Sequence, residues 1–267
     1  MSRRSAGARP TPRSPESRSR ERGSRPSSSR SSGSSYWLYG LHAAEGALAN
    51  PRRQIHEILA TREGLTALET KGLKLPVTPN VVERSRIDQL CERDAVHQGV
   101  ALRVEPLESL LLEDALERPG PVLVLDQVTD PRNIGAILRS AAAFGAAALV
   151  LQDRNTPQES GVMAKAASGA LDIVPVLREV NLSRALAQLQ NAGLWVVGLD
   201  AGGGRLNGAG YEGRRVALVL GAEGAGLRRL TRESCDEIAS VHMPGDMESL
   251  NVSNAAAVAL YELIRPV

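Results

Sequence analysis

The strongest constraint on the fold is an alternation in the second half of the chain. Residues 122–125, 148–151, 172–176, 194–199, 216–221 and 237–241 read as strands. The run 122–125 is apolar throughout, the pattern of a strand covered on both faces. Between these runs, 133–144, 161–167 and 181–191 read as helices, the last with Leu182, Leu186 and Leu189 along one face. A helix over 251–264 closes the chain. Strands alternating with helices predict an α/β fold on a mostly parallel sheet. There is no internal repeat.

The preceding stretch, 36–106, reads as a smaller α/β domain. Leu41, Ala44 and Leu48 have helical spacing, and Asn50-Pro51 ends that helix. A strand over 55–60, a helix over 63–71 and a short strand at 76–77 follow. Ser85 is read as the cap of a helix running through Leu90, and 99–104 as a closing strand. Residues 107–120 form a linker with a short helix, stopped by Pro119-Gly120-Pro121, and 121–267 make up the large domain.

A chain of 267 residues allows one or two domains. Its net charge of +2 conceals a split: residues 1–35 carry nine Arg against Glu16 and Glu21, a net +7 that leaves the remaining 232 residues at −5. The same 35 residues hold thirteen Ser and no Ile, Leu, Val, Phe, Tyr or Trp. Such a segment has nothing to bury against the entropy of ordering and is expected to be disordered. Its composition also resembles a mitochondrial transit peptide, although it lacks residues for an apolar helix face. No apolar run approaches the length of a membrane helix, and the start lacks the apolar stretch of a secretory signal. Cys91 and Cys235 make no disulfide framework, and the four His show no ligand spacing, so no metal is expected. A reducing, cytoplasmic compartment fits.

Three polar segments follow predicted strands, the edge where open α/β sheets place ligands. The first is LDQVTDPRNIGAILR, 125–139. Here Asn133 suits a helix N-cap, and Arg139, set in an apolar helix, calls for either a structural ion pair or an anion. The second, LVLGAEGAGL at 218–227, lacks the G-x-G-x-x-G fingerprint, and no Walker lysine follows. The third, MPGDMESLNVSNA at 243–255, leads into the last helix, where Ser249 and Asn251 suit capping.

In that order, the three segments resemble the motifs of the SpoU (TrmH) family of RNA 2′-O-ribose methyltransferases, over about 122–265. Tyr39-Gly40-Leu41-His42-Ala43 and His97-Gln98-Gly99-Val100-Ala101 resemble the substrate-binding domain of one branch of that family. That branch methylates a guanosine in the peptidyl-transferase region of large-subunit (23S) ribosomal RNA.

The resemblance implies a SPOUT-type, trefoil-knotted methyltransferase domain behind a small ribosomal-protein-like α/β substrate-binding domain. It implies S-adenosylmethionine held by backbone around Gly221, Val241 and Leu250, with Leu220 and Met243 beside them. It maps the polar active-site positions onto Asn133, Arg139, Glu223, Ser249 and Asn251. His242 stands where the family usually has Pro. The resemblance further implies RNA as substrate and a homodimer, for which the helix over 133–144 and the Ala-rich last helix offer packing faces.

Three other readings compete. An oxidoreductase on an ordinary dinucleotide fold lacks its fingerprint. A catalytically silent RNA-binding protein is disfavoured by the complete polar set. Methylation of transfer RNA is disfavoured by the additional domain. With the folded part acidic, RNA recognition is expected to rest on local arginines such as Arg132 and Arg139. The basic tail is expected to add salt-sensitive phosphate contacts.

Overall fold

The computed structural model describes Met1 and residues 35–265. The Arg- and Ser-rich N-terminal segment, with the expectations placed on it, lies outside the described residues.

The chain starts with β1 (Tyr36–Tyr39), α1 (Leu41–Ala49), β2 (Ile55–Ala60), α2 (Arg62–Thr70), β3 (Asn80–Val81), α3 (Arg84–Asp88) and β4 (Val100–Val104). The strands form one sheet in the order β1-β4-β2-β3, antiparallel except for the β2–β3 pair. Leu38, Ile58 and Leu102 are buried on one face and Tyr39, Leu59 and Ala101 on the other, as period-two alternation requires. The strand read as closing, β4, lies inside the sheet between β1 and β2.

The large lobe continues through α4 (Leu112–Leu116), β5 (Val122–Leu125), α5 (Pro131–Ala143), β6 (Ala148–Gln152), α6 (Gly161–Ala167), β7 (Val176–Glu179) and α7 (Leu182–Asn191). It ends with β8 (Trp195–Arg205), β9 (Val216–Leu220), α8 (Arg229–Glu233), β10 (Glu237–Ser240) and α9 (Val252–Ile264). The six strands are all parallel, in the order β10-β8-β9-β5-β6-β7. Every residue of β5 and β9 is buried, as expected of central strands covered on both faces. From β5 the chain winds outward through β6 and β7, then crosses to the other side for β8. This reversal makes the carboxyl ends of β5, β9 and β8 the place for a ligand.

The lobes share one apolar cluster, in which Leu38, Ala44 and Ala47 join Met163, Ala164 and Ala170. Arg53, its side chain wholly inaccessible, pairs with Asp172 at 2.8 Å and Glu159 at 2.7 Å. The Tyr36 hydroxyl donates to Glu159. Burial, then the Glu159 charge, holds that hydroxyl well above the usual phenol range. The segment 107–120 is more than a tether: Leu112 and Ala115 are buried, and the Arg215 guanidinium donates to the carbonyls of Leu116, Arg118 and Gly120.

Several expectations change. The short strand is at Asn80–Val81, because only that segment reaches the edge of β2. Glu83 occupies the N-cap position of α3, and Ser85 lies inside that helix. Residues 170–172 form a 3-10 turn that presents Asp172 to Arg53, so β7 begins at Val176. β8 extends beyond the expected end at 199, through Asp200-Ala201-Gly202-Gly203-Gly204 to Arg205.

Candidate active site and cofactor cavity

The loop after β5 turns into α5 through Asp130, whose carboxylate accepts from the Arg132 amide, with Pro131 in the first helical turn. This overturns the reading of Asn133 as N-cap. Asn133 lies within the helix, and its side chain is free to reach across to other segments.

It reaches Glu223 and Asn251. Glu223 Oε1 accepts from Asn251 Nδ2 at 2.6 Å, from Asn133 Nδ2 at 3.2 Å and from the Val252 amide at 3.3 Å. Asn251 Nδ2 also donates to Asn133 Oδ1 at 3.0 Å. Asn251 caps α9 as well, its Oδ1 accepting from the Ser253 amide at 2.9 Å. One residue from each polar segment thus meets at a single carboxylate. No hydrogen bond to Glu223 Oε2 is present among the described residues.

A cavity of about 430 Å³ opens beside this cluster. Leu220, Gly221, Val241, Met243 and Leu250 all line it, as do Glu223 and Ser249. Gly221 packs so closely that a Cβ there would stand 2.2 Å from the Gly226 carbonyl carbon, so the loop closes only with glycine at this position. The opposite wall comes from an irregularity in β8. The partner of Ile238 is Gly198, but that of Ala239 is Gly204, so 199–203 leave the β10 ladder. Leu199, Asp200 and Ala201 of this excursion line the cavity. Sequence reasoning missed Asp200, although its place after an apolar strand was the available signal. Its carboxylate is paired with Arg232.

The charged residues lining the cavity are Asp200, Glu223 and Glu248, with no Lys or Arg. Such a lining suits a cationic sulfonium better than a phosphate ligand. The cavity's size, its glycine-shaped wall and its acidic rim therefore fit S-adenosylmethionine. Among the described residues, no group of three or more His, Cys, Asp and Glu is placed to hold a metal ion.

Two candidates stand apart from the cluster. Ser249 is exposed and makes no hydrogen bond among the described residues, and the capping read for it falls to Asn251 alone. Arg139 is also exposed, and no hydrogen bond or ion pair holds it among the described residues. Among the described residues the structural ion pair is therefore absent, because Arg139 lies on the exposed and not the buried face of α5.

The chain matches the SpoU rRNA methylase family over residues 120–261 and the RNA 2′-O ribose methyltransferase substrate-binding domain over 37–110. It belongs to the SpoU rRNA methylase family. Among curated relatives, it is 40% identical over 241 residues to the 23S rRNA (guanosine-2′-O-)-methyltransferase RlmB of Ralstonia nicotianae, covering 85% of this chain and 94% of that protein. It is 38% identical over 248 residues to the RlmB of Escherichia coli K12, covering 86% and 98%. Among solved structures, the SpoU methyltransferase AviRb of Streptomyces viridochromogenes, in complex with AdoMet, superposes with a TM-score of 0.73 at 24% identity, covering 87% of this chain and 90% of that one.

Proposed function

We propose that this protein transfers a methyl group from S-adenosylmethionine to the ribose 2′-oxygen of a guanosine in 23S ribosomal RNA. The observation that carries the reading is the meeting of Asn133, Glu223 and Asn251 at the rim of an acidic, glycine-walled cavity. Full-length relatives named for this reaction support it.

When bound, S-adenosylmethionine would supply an electrophilic methyl carbon on a sulfonium, and its transfer to the 2′-hydroxyl would leave a neutral thioether and release the hydroxyl proton to water. The protein's task is mainly positioning. Leu220, Gly221, Val241, Met243 and Leu250 would hold the cofactor through backbone groups and apolar contact. Asn133 and Ser249 orient groups around the reacting centre, while Glu223 and Asn251 maintain the hydrogen-bond network. Arg139 orients the 2′-hydroxyl and the adjacent phosphate. Its guanidinium does not readily give up a proton, which favours that role over general base.

The large domain is read as 121–267, the substrate-binding domain as 36–106 and the linker as 107–120. The trefoil knot is part of the same reading. β9 lies between β8 and β5, and after β10 the chain runs along the cavity through 241–251 before α9 packs on α5. A homodimer is supported by α9, which leaves Val258, Tyr261 and Ile264 exposed, with Phe144 at the end of α5 tilted against Tyr261 at 6.3 Å. No helix among the described residues is long and apolar enough to cross a membrane. A cytoplasmic location fits a ribosomal RNA substrate.

The test is labelled methyl transfer to unmodified 23S and transfer RNA, with mapping of 2′-O-methyl sites in RNA from cells lacking the gene. Loss at one 23S guanosine is expected. Loss confined to transfer RNA would overturn the substrate, and no transfer to any RNA would overturn the activity.

A further inference from the structure

The loop after β9 serves two concavities. Residues 221–226 wall the cofactor cavity, whereas Arg228 and Arg229, a few positions on, wall a separate cleft of about 470 Å³. Its other side is formed by Gln152 and Arg154 at the end of β6 and by Asn181 and Ser183 at the start of α7. Both concavities open at the carboxyl edge of the same sheet, and the proposed chemistry uses none of the cleft's residues.

Three observations indicate that this cleft is built for a ligand. First, Asp126 is fully buried, and its carboxylate accepts from the Arg228 amide at 3.0 Å and from Arg228 Nε at 2.6 Å. A buried carboxylate is costly unless paired, so this contact is firmly held. It fixes the guanidinium by one edge. Both Nη groups of Arg228 have no hydrogen bond among the described residues, and 44% of the side chain is exposed.

Second, Arg154 is exposed and has no hydrogen bond or ion pair among the described residues. Arg229 is less available, because its Nη1 is held by Glu233 at 2.7 Å. Third, no Asp or Glu lines the cleft itself; Arg228 and Arg229 keep their carboxylate partners behind it, and Arg154 stands beside amide and hydroxyl donors with no counter-charge among the described residues.

We infer that this cleft is a phosphodiester-binding subsite for the RNA strand beside the reactive nucleotide, with Arg228 as the fixed anchor and Arg154 as the second contact. The planar guanidinium, held at Nε and open at Nη1 and Nη2, matches phosphate oxygens in bidentate fashion. The cleft has no aromatic ring in its wall, so it offers no base-stacking platform, and it holds backbone without reading sequence. The inference rests on the RNA methyltransferase reading, and it identifies where the substrate strand is gripped.

The test measures binding of a 23S rRNA fragment across a range of salt concentrations for the full chain and for Arg154→Ala, Arg228→Ala and Arg228→Lys. S-adenosylmethionine affinity, read separately, reports an intact loop. Each alanine variant should weaken RNA binding roughly tenfold at low salt. It should also lower the slope of log K against log salt by roughly 0.7 to 1. Arg228→Lys should keep the slope and recover only part of the affinity, since an ammonium lacks the fork. Because Arg228 also braces the loop, Arg154→Ala is the decisive variant: unchanged affinity and slope there, with cofactor binding intact, would overturn the subsite. The readout is binding and not turnover. A wild-type protein that binds RNA but methylates none would therefore refute the activity without obscuring the result for the cleft.

Discussion

Asn251 Nδ2 stands 2.6 Å from Glu223 Oε1 while Asn251 Oδ1 accepts from the Ser253 amide. One side chain thus starts the last helix and ties it to the loop after β9. Stability and site geometry are coupled at this residue, and substitutions separate them. Asn251→Ala removes both functions and should cost about 1 kcal/mol from the lost cap, along with most of the activity. Asn251→Asp keeps a capping oxygen but sets a second carboxylate against Glu223. The like charges repel and the donor to Glu223 is lost. Asn251→Asp should therefore keep most of the wild-type stability in urea unfolding while losing most of the methyl transfer. Equal losses of stability and transfer in the two variants would refute the separation.

Arg139 is the opposite case, an exposed side chain with no partner among the described residues. Arg139→Ala should change stability by no more than about 0.5 kcal/mol, yet reduce methyl transfer at least about a hundredfold. Denaturant unfolding and single-turnover transfer check the two halves independently. Full activity in a folded variant would remove Arg139 from the site.

At Gly221 the constraint is steric. The position has no positive φ, but a Cβ would stand 2.2 Å from the backbone of Gly226. Gly221→Ala must displace the loop, at a cost of about 1–3 kcal/mol. Calorimetry should show at least tenfold weaker S-adenosylmethionine binding, with the far-ultraviolet dichroism spectrum preserved.

Between the lobes, Arg53 answers two carboxylates. Arg53→Met leaves Glu159 and Asp172 facing each other at a buried boundary and should cost about 3–5 kcal/mol. Arg53→Met combined with Glu159→Gln and Asp172→Asn should recover most of that loss in urea unfolding. If the single variant proves as stable as wild type, the pair does not hold the lobes together.

Neither thiol is poised for chemistry. Burial, then neighbouring acids, pushes Cys235 up to about 12, and burial with Asp88 pushes Cys91 up to about 11. Native protein at pH 8 should alkylate far more slowly than its unfolded chain, whose thiols titrate near about 8.5. The folded state keeps protons that the unfolded state releases, so stability should fall as pH climbs from about 8.5 toward 11. Unfolding free energies at pH 7.5 and 10 test the sign.

Local pattern made much of the architecture legible. β2 and α6 coincide with their expected ranges, and β5 announced itself as an uninterrupted apolar run. Side-chain periodicity and turn residues are properties of a few neighbouring positions, so one chain read alone reveals them. The three polar segments were visible for the same reason, and their order carried the family resemblance.

What no local pattern carries is which distant groups meet. Asn133 reads as a helix cap until Asp130 is seen to take that place, leaving the amide to Glu223, 90 positions away. The excursion of β8 that opens the cavity depends on pairing with β10. The grip of Asp126 on Arg228 spans 102 positions and needs β5 and β9 side by side. Such contacts are settled by sheet order and packing, because short-range propensity specifies elements and only their assembly brings these charges within hydrogen-bonding reach.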